Sequence, residues 1–140
     1  MRKVKHMTEK KHRILVVDDL DDWRKTLSGL LREEGYKVDV ADSFGKAVTL
    51  LRSKKFDLAV LDIRLDETDE NNTQGLDLAS EIKRHWPSVK TIIITGYDNP
   101  EIVKRAMEPQ GHGKKRLADD FIPKTETDNL IRSVQSLLEK

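Results

Sequence analysis

The stretch RILVVDDLDDW, residues 13–23, joins a short aliphatic run to a cluster of four carboxylates. The aliphatic run is too short for a helix and is rich in β-branched residues, so it predicts a buried β-strand. Like charges repel one another, and a cluster of them directly after a buried strand needs a structural or functional reason. The question is therefore what the carboxylates of Asp18 and Asp19 do at the end of this strand.

Four further apolar runs follow the first one, and a segment with helical spacing separates each run from the next. The runs are KVDVA, DLAVLD, TIIIT and DDFI, at residues 37–41, 57–62, 91–95 and 119–122. This alternation predicts a doubly wound α/β fold with a five-stranded parallel sheet and five helices. The first, third and fourth runs are continuously aliphatic, as expected for strands covered on both faces, whereas KVDVA alternates and is expected at an edge.

Local signals predict where several helices begin and end. Gly35 is expected to end the first helix, and Ser43 is expected to cap the second. The Asn-Pro pair at residues 99–100 predicts the start of the fourth helix, because proline is favoured at the first helical position. Asp21 and Asp22 are expected to cap the first helix, where acidic side chains interact favourably with the helix dipole.

Length and composition limit the classes of function. The 140 residues predict one domain, at residues 13–140, preceded by a disordered basic tail at residues 1–12. The 26 basic and 25 acidic residues give a net charge of +1, which favours binding neither to nucleic acid nor to an anionic membrane. The absence of cysteine excludes disulfides, thiol catalysis and cysteine-based metal sites. Every apolar run is far shorter than the roughly 20 residues of a membrane span, so we expect a cytoplasmic protein.

Chemically active side chains follow the predicted strands at one edge of the sheet. Asp62 ends the third strand, Thr95 ends the fourth, and Lys124 follows the fifth. If the first and third strands are neighbours, Asp18, Asp19 and Asp62 converge, and ligands of such sheets bind at this edge. Three close carboxylates raise one another's pKa unless a cation is present, and oxygen-only ligands suit Mg²⁺ or Mn²⁺. An ammonium and a hydroxyl beside them suit phosphate oxygens.

With these features in place, the sequence resembles the receiver domain of two-component response regulators, of the CheY-like type. The resemblance covers residues 13–140 and rests on five ordered features. They are the pair DD after the first strand, the Asp of LAVLDIRL, the Thr of TIIITGY, Phe121 in the fifth strand and the Lys of FIPK. The resemblance implies a flavodoxin-like sheet with strand order 2-1-3-4-5.

The resemblance also implies a role for each residue at the edge. Asp62 would accept a phosphoryl group from a phosphohistidine of a sensor histidine kinase or a phosphotransfer protein. Asp19 would bind Mg²⁺ directly and Asp18 directly or through water, and the backbone carbonyl of Arg64 would complete the protein ligands. Lys124 would neutralise charge on the phosphoryl oxygens. Apart from its own phosphorylation and dephosphorylation, the domain is not expected to catalyse a reaction.

A switch follows from the same resemblance. Thr95 would move toward the phosphoryl group and Phe121 would turn inward, so that a partner-binding face repacks. Partners would be the kinase and, through this face, a second copy of the chain. No direct binding of nucleic acid or of a membrane is expected.

Three features depart from the family pattern. The segments at residues 63–74 and 108–119 are longer than usual, and their roles stay open. The family usually has proline after the lysine, whereas Thr125 follows Lys124 here, so the orientation of Lys124 is less constrained. Trp23 is expected to pack against the core near the predicted pocket.

Two other functions compete with the receiver interpretation. A receiver-like scaffold would use the same fold without phosphorylation. A hydrolase of the haloacid dehalogenase type would use Asp62 as a nucleophile on a small phosphate ester. That chemistry needs a second carboxylate two positions later as acid and base, and Arg64 occupies this position.

Overall fold

The computed structural model describes residues 12–65, 72–96, 109–110 and 115–139. The helices among these residues are α1 (Asp21–Glu33), α2 (Phe44–Ser53), α3 (Gln74–His85) and α4 (Thr127–Leu138), and a turn of 3₁₀ helix at Lys124–Glu126 precedes α4. The long strands are β1 (Arg13–Val17), β2 (Lys37–Ala41), β3 (Leu58–Leu61), β4 (Lys90–Thr95) and β7 (Asp120–Pro123). Two short strands, β5 (Pro109–Gln110) and β6 (Lys115–Arg116), follow β4 and precede β7 in the sequence.

The five long strands form one parallel sheet in the order β2-β1-β3-β4-β7. Counted along the chain this is the order 2-1-3-4-5, which confirms the predicted doubly wound fold. Val17 at the end of β1 pairs with Ala41 of β2 and Leu61 of β3. The backbone N–H of Asp62 donates to the carbonyl of Val17 at 3.0 Å. Because β1 and β3 are neighbours in register, the residues that follow them emerge at the same edge of the sheet.

Apolar side chains cover both faces of the sheet. Leu15 and Val17 point to the cluster that α2 and α3 cover, and Ile14 and Val16 point to the cluster that α1 and α4 cover. This explains why the run RILVV shows no alternation, since a strand buried on both faces needs apolar residues throughout. KVDVA forms the edge strand β2, as predicted. No helix in the described part of the chain is long and apolar enough to cross a bilayer.

Two predicted helix boundaries are confirmed. Gly35 follows α1 with φ of 98°, a left-handed conformation that glycine adopts without strain. The Ser43 hydroxyl oxygen accepts a hydrogen bond from the backbone N–H of Lys46 at 3.2 Å and caps α2. The predicted helix at residues 99–106 lies outside the described residues.

The prediction that Asp21 and Asp22 cap α1 is wrong. Leu20 is the N-cap residue and no side chain forms the cap, while the Asp18 carboxylate accepts a hydrogen bond from the Leu20 backbone N–H at 2.9 Å. Asp21 already lies in the first helical turn, where its carboxylate pairs with Arg24 at 2.8 Å. Its place near the positive end of the helix dipole remains favourable.

The segment at residues 108–119 contains structure that the sequence pattern did not indicate. Pro109 pairs with Arg116, and Gln110 pairs with Lys115, in an antiparallel ladder of β5 and β6. Strands of two residues are too short to produce a recognisable periodicity. The predicted tail lies outside the described residues up to position 11, and the carbonyl of His12 accepts a hydrogen bond from the backbone N–H of Lys37 at 3.0 Å.

Candidate functional site

Three aspartates meet at the carboxyl edge of the sheet, as the sequence predicts. Asp18 follows β1 with no exposed surface, Asp62 follows β3 with 1% exposed, and Asp19 is partly buried. One carboxylate oxygen from each lies within 4.8 Å of the others. Carboxylates are rarely buried fully unless they are paired or bind a cation. The site is thus built from the ends of two neighbouring strands, which the parallel register places side by side.

Lys124 brings a positive charge between the two buried aspartates. It begins the 3₁₀ turn after β7, and only 7% of its surface is exposed. Its Nζ lies 2.9 Å from Oδ2 of Asp18 and 3.5 Å from Oδ2 of Asp62. One ammonium therefore lies within ion-pair distance of two buried carboxylates.

Burial raises the pKa of the Asp18 carboxyl above its ordinary value of 3.8. The backbone N–H of Leu20 and the ammonium of Lys124 act in the opposite direction, because both stabilise the charged form, but they do not outweigh the burial. An ionised Asp18 is therefore costly in the protein in spite of the neighbouring Lys124 ammonium. A further cation at the cluster would offset this cost.

The donor set fits a hard divalent metal. Carboxylate oxygens suit Mg²⁺ and Mn²⁺, and two or three of them leave room for water and phosphate oxygens in the coordination sphere. Arg64, whose backbone carbonyl is predicted as a further ligand, lies two residues after Asp62 on the same loop. Its neighbours Ile63 and Leu65 are buried, which holds this part of the loop against the core.

Gly75 supports the site, although the sequence analysis did not single it out. It lies in the first turn of α3, where its N–H donates to the carbonyl of Ile63 at 2.7 Å. A Cβ atom at this position would lie 1.8 Å from the backbone carbonyl oxygen of Asp62, so no other side chain fits without a backbone shift. The signal in the sequence is weak, because Gly29 and Gly45 also lie inside helical patterns and a Cβ there would meet no such neighbour.

Asn72 also holds the loop that follows the site. Its side-chain carbonyl oxygen accepts hydrogen bonds from the backbone N–H groups of Leu65 and Gln74, both at 3.0 Å. These hydrogen bonds therefore connect the two described parts of the segment at residues 63–74. Asparagine and aspartate commonly bond to backbone groups in this way, but their partners depend on the path of the loop.

Trp23 of α1 lies beside Lys124. The Lys124 Nζ is over the indole ring at 4.9 Å from its centroid, within the range of a cation–π interaction. The ring packs partly buried against the cluster that α1 and α4 cover, which confirms the predicted position near the pocket. Sequence reasoning did not find the contact with Lys124, because it joins residues a hundred positions apart.

The two predicted switch residues lie in adjacent strands. Thr95 ends β4 at the same edge as the aspartates and pairs with Pro123 of β7. Phe121 pairs with Ile93 and is half-buried against the cluster that α2 and α3 cover. The sheet thus links the edge that carries the aspartates to the strand that carries the aromatic ring.

Comparison with known proteins agrees with this architecture. The family model of the response regulator receiver domain matches residues 14–135. The chain is 34% identical over 134 residues to the transcriptional regulatory protein ZraR of Escherichia coli, covering 96% of this chain and 27% of that protein. It is 33% identical over 119 residues to a cyclic di-GMP phosphodiesterase of Thermotoga maritima, covering 85% of this chain and 28% of that protein. The chain thus spans less than a third of the length of these relatives.

Two solved structures are similar over nearly their whole length. The response regulator TrrA of Thermotoga maritima, solved with Mg²⁺ and BeF, has a TM-score of 0.72 and 32% identity, over 91% of this chain and 99% of that one. A CheY-like receiver domain of Methanospirillum hungatei has a TM-score of 0.77 and 26% identity, over 93% and 95%. Fold, site and sequence match agree, and the chain belongs to the receiver-domain family of two-component response regulators.

Proposed function

We propose that Asp62 is the phosphoacceptor of this receiver domain. The observation that carries the proposal is the burial of Asp62 beside Asp18 with the Lys124 ammonium 3.5 Å from its carboxylate oxygen. A carboxylate held in this way is a nucleophile whose neighbours balance the charge that a phosphoryl group brings. The domain extends over residues 13–140 in this proposal, with residues 1–12 as a tail.

The proposed reaction transfers a phosphoryl group from a phosphohistidine. An oxygen of the Asp62 carboxylate attacks phosphorus in line with the bond to the imidazole nitrogen. The new P–O bond forms as the P–N bond breaks, and the electron pair of that bond leaves with the imidazole. Lys124 compensates the negative charge of the phosphoryl oxygens. Attack of water on phosphorus later releases phosphate and restores the Asp62 carboxylate.

Asp18, Asp19 and Asp62 are the proposed carboxylate ligands of Mg²⁺, with Mn²⁺ as a substitute. When bound, the metal would neutralise charge on the phosphoryl oxygens. One carboxylate oxygen of each aspartate lies within 4.8 Å of the others, and burial raises the pKa of Asp18 in spite of the neighbouring Lys124 ammonium. The similar TrrA was solved with Mg²⁺ and BeF, which supports the same metal here. The backbone carbonyl of Arg64 is the proposed fourth protein ligand.

Thr95 and Phe121 are the proposed switch. Their strands are adjacent in the sheet, so a change at the carboxyl end of β4 can reach β7 directly. Thr95→Ala and Phe121→Ala should both accept the phosphoryl group, because neither removes a carboxylate or Lys124. Both should reduce the chemical-shift changes that phosphorylation causes in the backbone amides of β7. Undiminished changes in both variants would contradict the proposed switch.

The proposed phosphoryl donor is a sensor histidine kinase or a phosphotransfer protein, as in two-component signalling. The domain would catalyse only its own phosphorylation and dephosphorylation. The named activities of its relatives belong to proteins of which this chain spans less than a third. A homodimer and a cytoplasmic location stay predictions.

The test is phosphorylation by acetyl phosphate, measured by intact mass with Mg²⁺ and with EDTA. We expect one phosphate adduct that needs Mg²⁺ and is absent from Asp62→Asn. Asp57→Asn is the matched control, because Asp57 precedes the same strand at the opposite edge of the sheet and is exposed. Absence of the adduct from the wild type would contradict the proposal and favour a scaffold that is not phosphorylated.

A further inference from the structure

Lys124 is held by three groups from three parts of the chain. Its Nζ lies 2.9 Å from Asp18 Oδ2, 3.5 Å from Asp62 Oδ2 and 4.9 Å from the centre of the Trp23 indole ring. The two carboxylates belong to the site already described. The indole ring takes no part in the proposed phosphoryl transfer, so its position beside the ammonium requires a separate explanation.

A lysine side chain needs such support more than most. Its ammonium ends a flexible four-carbon stem, so many rotamers would carry the charge away from the aspartates. Thr125 follows Lys124, and the backbone there lacks the fixed φ that a proline would give. The indole ring is more rigid than the lysine stem, because the ring packs against the cluster that α1 and α4 cover.

We propose that Trp23 is a positioning residue that holds the Lys124 ammonium between Asp18 and Asp62. The inference rests on the proposed function, since it assigns Trp23 to the same phosphoryl-transfer site. The electron-rich face of the ring attracts the ammonium, and tryptophan is the strongest of the aromatic side chains in this respect. The ring also covers one side of the ammonium and limits its access to water. Trp23 touches none of the reacting atoms and acts through Lys124 alone.

The first test examines the contact itself, without metal or phosphate. Protons above an indole face are shielded, so the terminal methylene of Lys124 should resonate upfield in a spectrum of lysine side chains. Trp23→Leu should move this signal to the usual lysine position, and Trp23→Phe should leave it between the two. Trp86→Leu is the matched control, because Trp86 is the second tryptophan, half-buried at the C-terminal end of α3 and in edge contact with the His85 ring. An unshifted wild-type signal would overturn the inference.

The second test measures the rate of phosphorylation by acetyl phosphate in saturating Mg²⁺. Trp23→Leu should be slower than the wild type by roughly 2- to 30-fold, which is the range of a cation–π interaction expressed as a rate. Trp23→Phe should recover part of the rate, and Trp86→Leu should keep all of it. In a Lys124→Met background, Trp23→Leu should cause no further decrease, because the group that it positions is absent.

The outcomes separate this inference from the proposed function. An equal loss of rate in the wild-type and Lys124→Met backgrounds would show that Trp23 acts independently of Lys124, and would overturn the inference alone. Equal rates for Trp23→Leu and Trp86→Leu would do the same. Absence of the Mg²⁺-dependent adduct from the wild type would overturn the proposed function and the positioning role with it.

Discussion

The two ends of β3 carry the same residue type in opposite surroundings. Asp57 precedes the strand and is exposed, and its carboxylate accepts a hydrogen bond from the backbone N–H of Arg13 at 2.9 Å. Asp62 follows the strand and is 1% exposed, beside a second buried carboxylate and one ammonium. The hydrogen bond of Asp57 connects the start of β3 to the start of β1, at a position where water screens the charge of the carboxylate. Asp62 lies where charge is costly, and a cost of that kind is typical of functional sites.

Two pairs of lysine and aspartate differ in the same way. Lys54 pairs with Asp39 at 2.6 Å, with side chains 45% and 16% exposed. Lys124 pairs with Asp18 at 2.9 Å, with side chains 7% and 0% exposed. The exposed pair is shorter, yet exposed ion pairs contribute little because water and salt screen them. Burial, and not the distance between the charges, distinguishes the two pairs.

The largest effect is expected from Gly75→Ala at the buried edge. The new Cβ would lie 1.8 Å from the backbone oxygen of Asp62, so the helix or the loop has to move. We expect the free energy of unfolding to fall by more than about 3 kcal/mol, as for severe steric conflicts in cores. Urea denaturation in EDTA measures this loss without any contribution from metal.

Gly45→Ala is the matched control for this substitution. Gly45 lies in the first turn of α2, and apart from its chain neighbours and the backbone of its own helix no atom lies within 4 Å of the position that a Cβ would occupy there. Alanine at this position should raise the free energy of unfolding by up to about 1 kcal/mol, since it favours the helix. Equal effects of the two substitutions would mean that the close approach at Asp62 is not a constraint.

The residues of the site differ in how far the sequence could predict them. Asp18 and Asp62 follow aliphatic strands, and the parallel fold requires the ends of such strands to share one edge, so their meeting was predictable. Gly75 and Asn72 hold the site through contacts that depend on the path of a loop, which no periodicity encodes. The contact of Trp23 with Lys124 depends on side-chain rotamers as well as on topology. Sequence patterns thus predict the strands and their ends better than the contacts between them.

The second largest effect is expected from Lys124→Met. Methionine has a similar length and no charge, so the variant leaves Asp18 and Asp62 buried without the ammonium. We expect the free energy of unfolding at neutral pH in EDTA to fall by about 2 kcal/mol, because the carboxylates must take up protons or remain unbalanced. Urea denaturation measures this change.

The control for Lys124→Met is Lys54→Met. Its pair with Asp39 is partly exposed, so the loss should be at most about 1 kcal/mol. Excess Mg²⁺ should recover stability in Lys124→Met, because it supplies positive charge to the same carboxylates, and it should not recover stability in Lys54→Met. A similar loss in both variants would contradict the conclusion that burial makes the Lys124 pair contribute more to stability than the Lys54 pair.

Among the variants of the site, the smallest effect is expected from Asp18→Asn in EDTA, and its sign is opposite to that of Gly75→Ala and Lys124→Met. Burial raises the pKa of Asp18 above 3.8, so the folded protein binds this proton more tightly than the unfolded chain, and ionisation lowers stability as the pH rises above that value. Asparagine removes the cost and should raise the free energy of unfolding at pH 7 by on the order of 1 kcal/mol, an advantage that shrinks as the pH falls toward 4. Asp57→Asn should change stability by less than about 0.5 kcal/mol at either pH, because its carboxylate is already exposed. If Asp18→Asn destabilises the metal-free protein at neutral pH, the attraction between Lys124 and the ionised Asp18 outweighs the cost of burying that charge. The charged groups of the site would then stabilise the fold and not destabilise it.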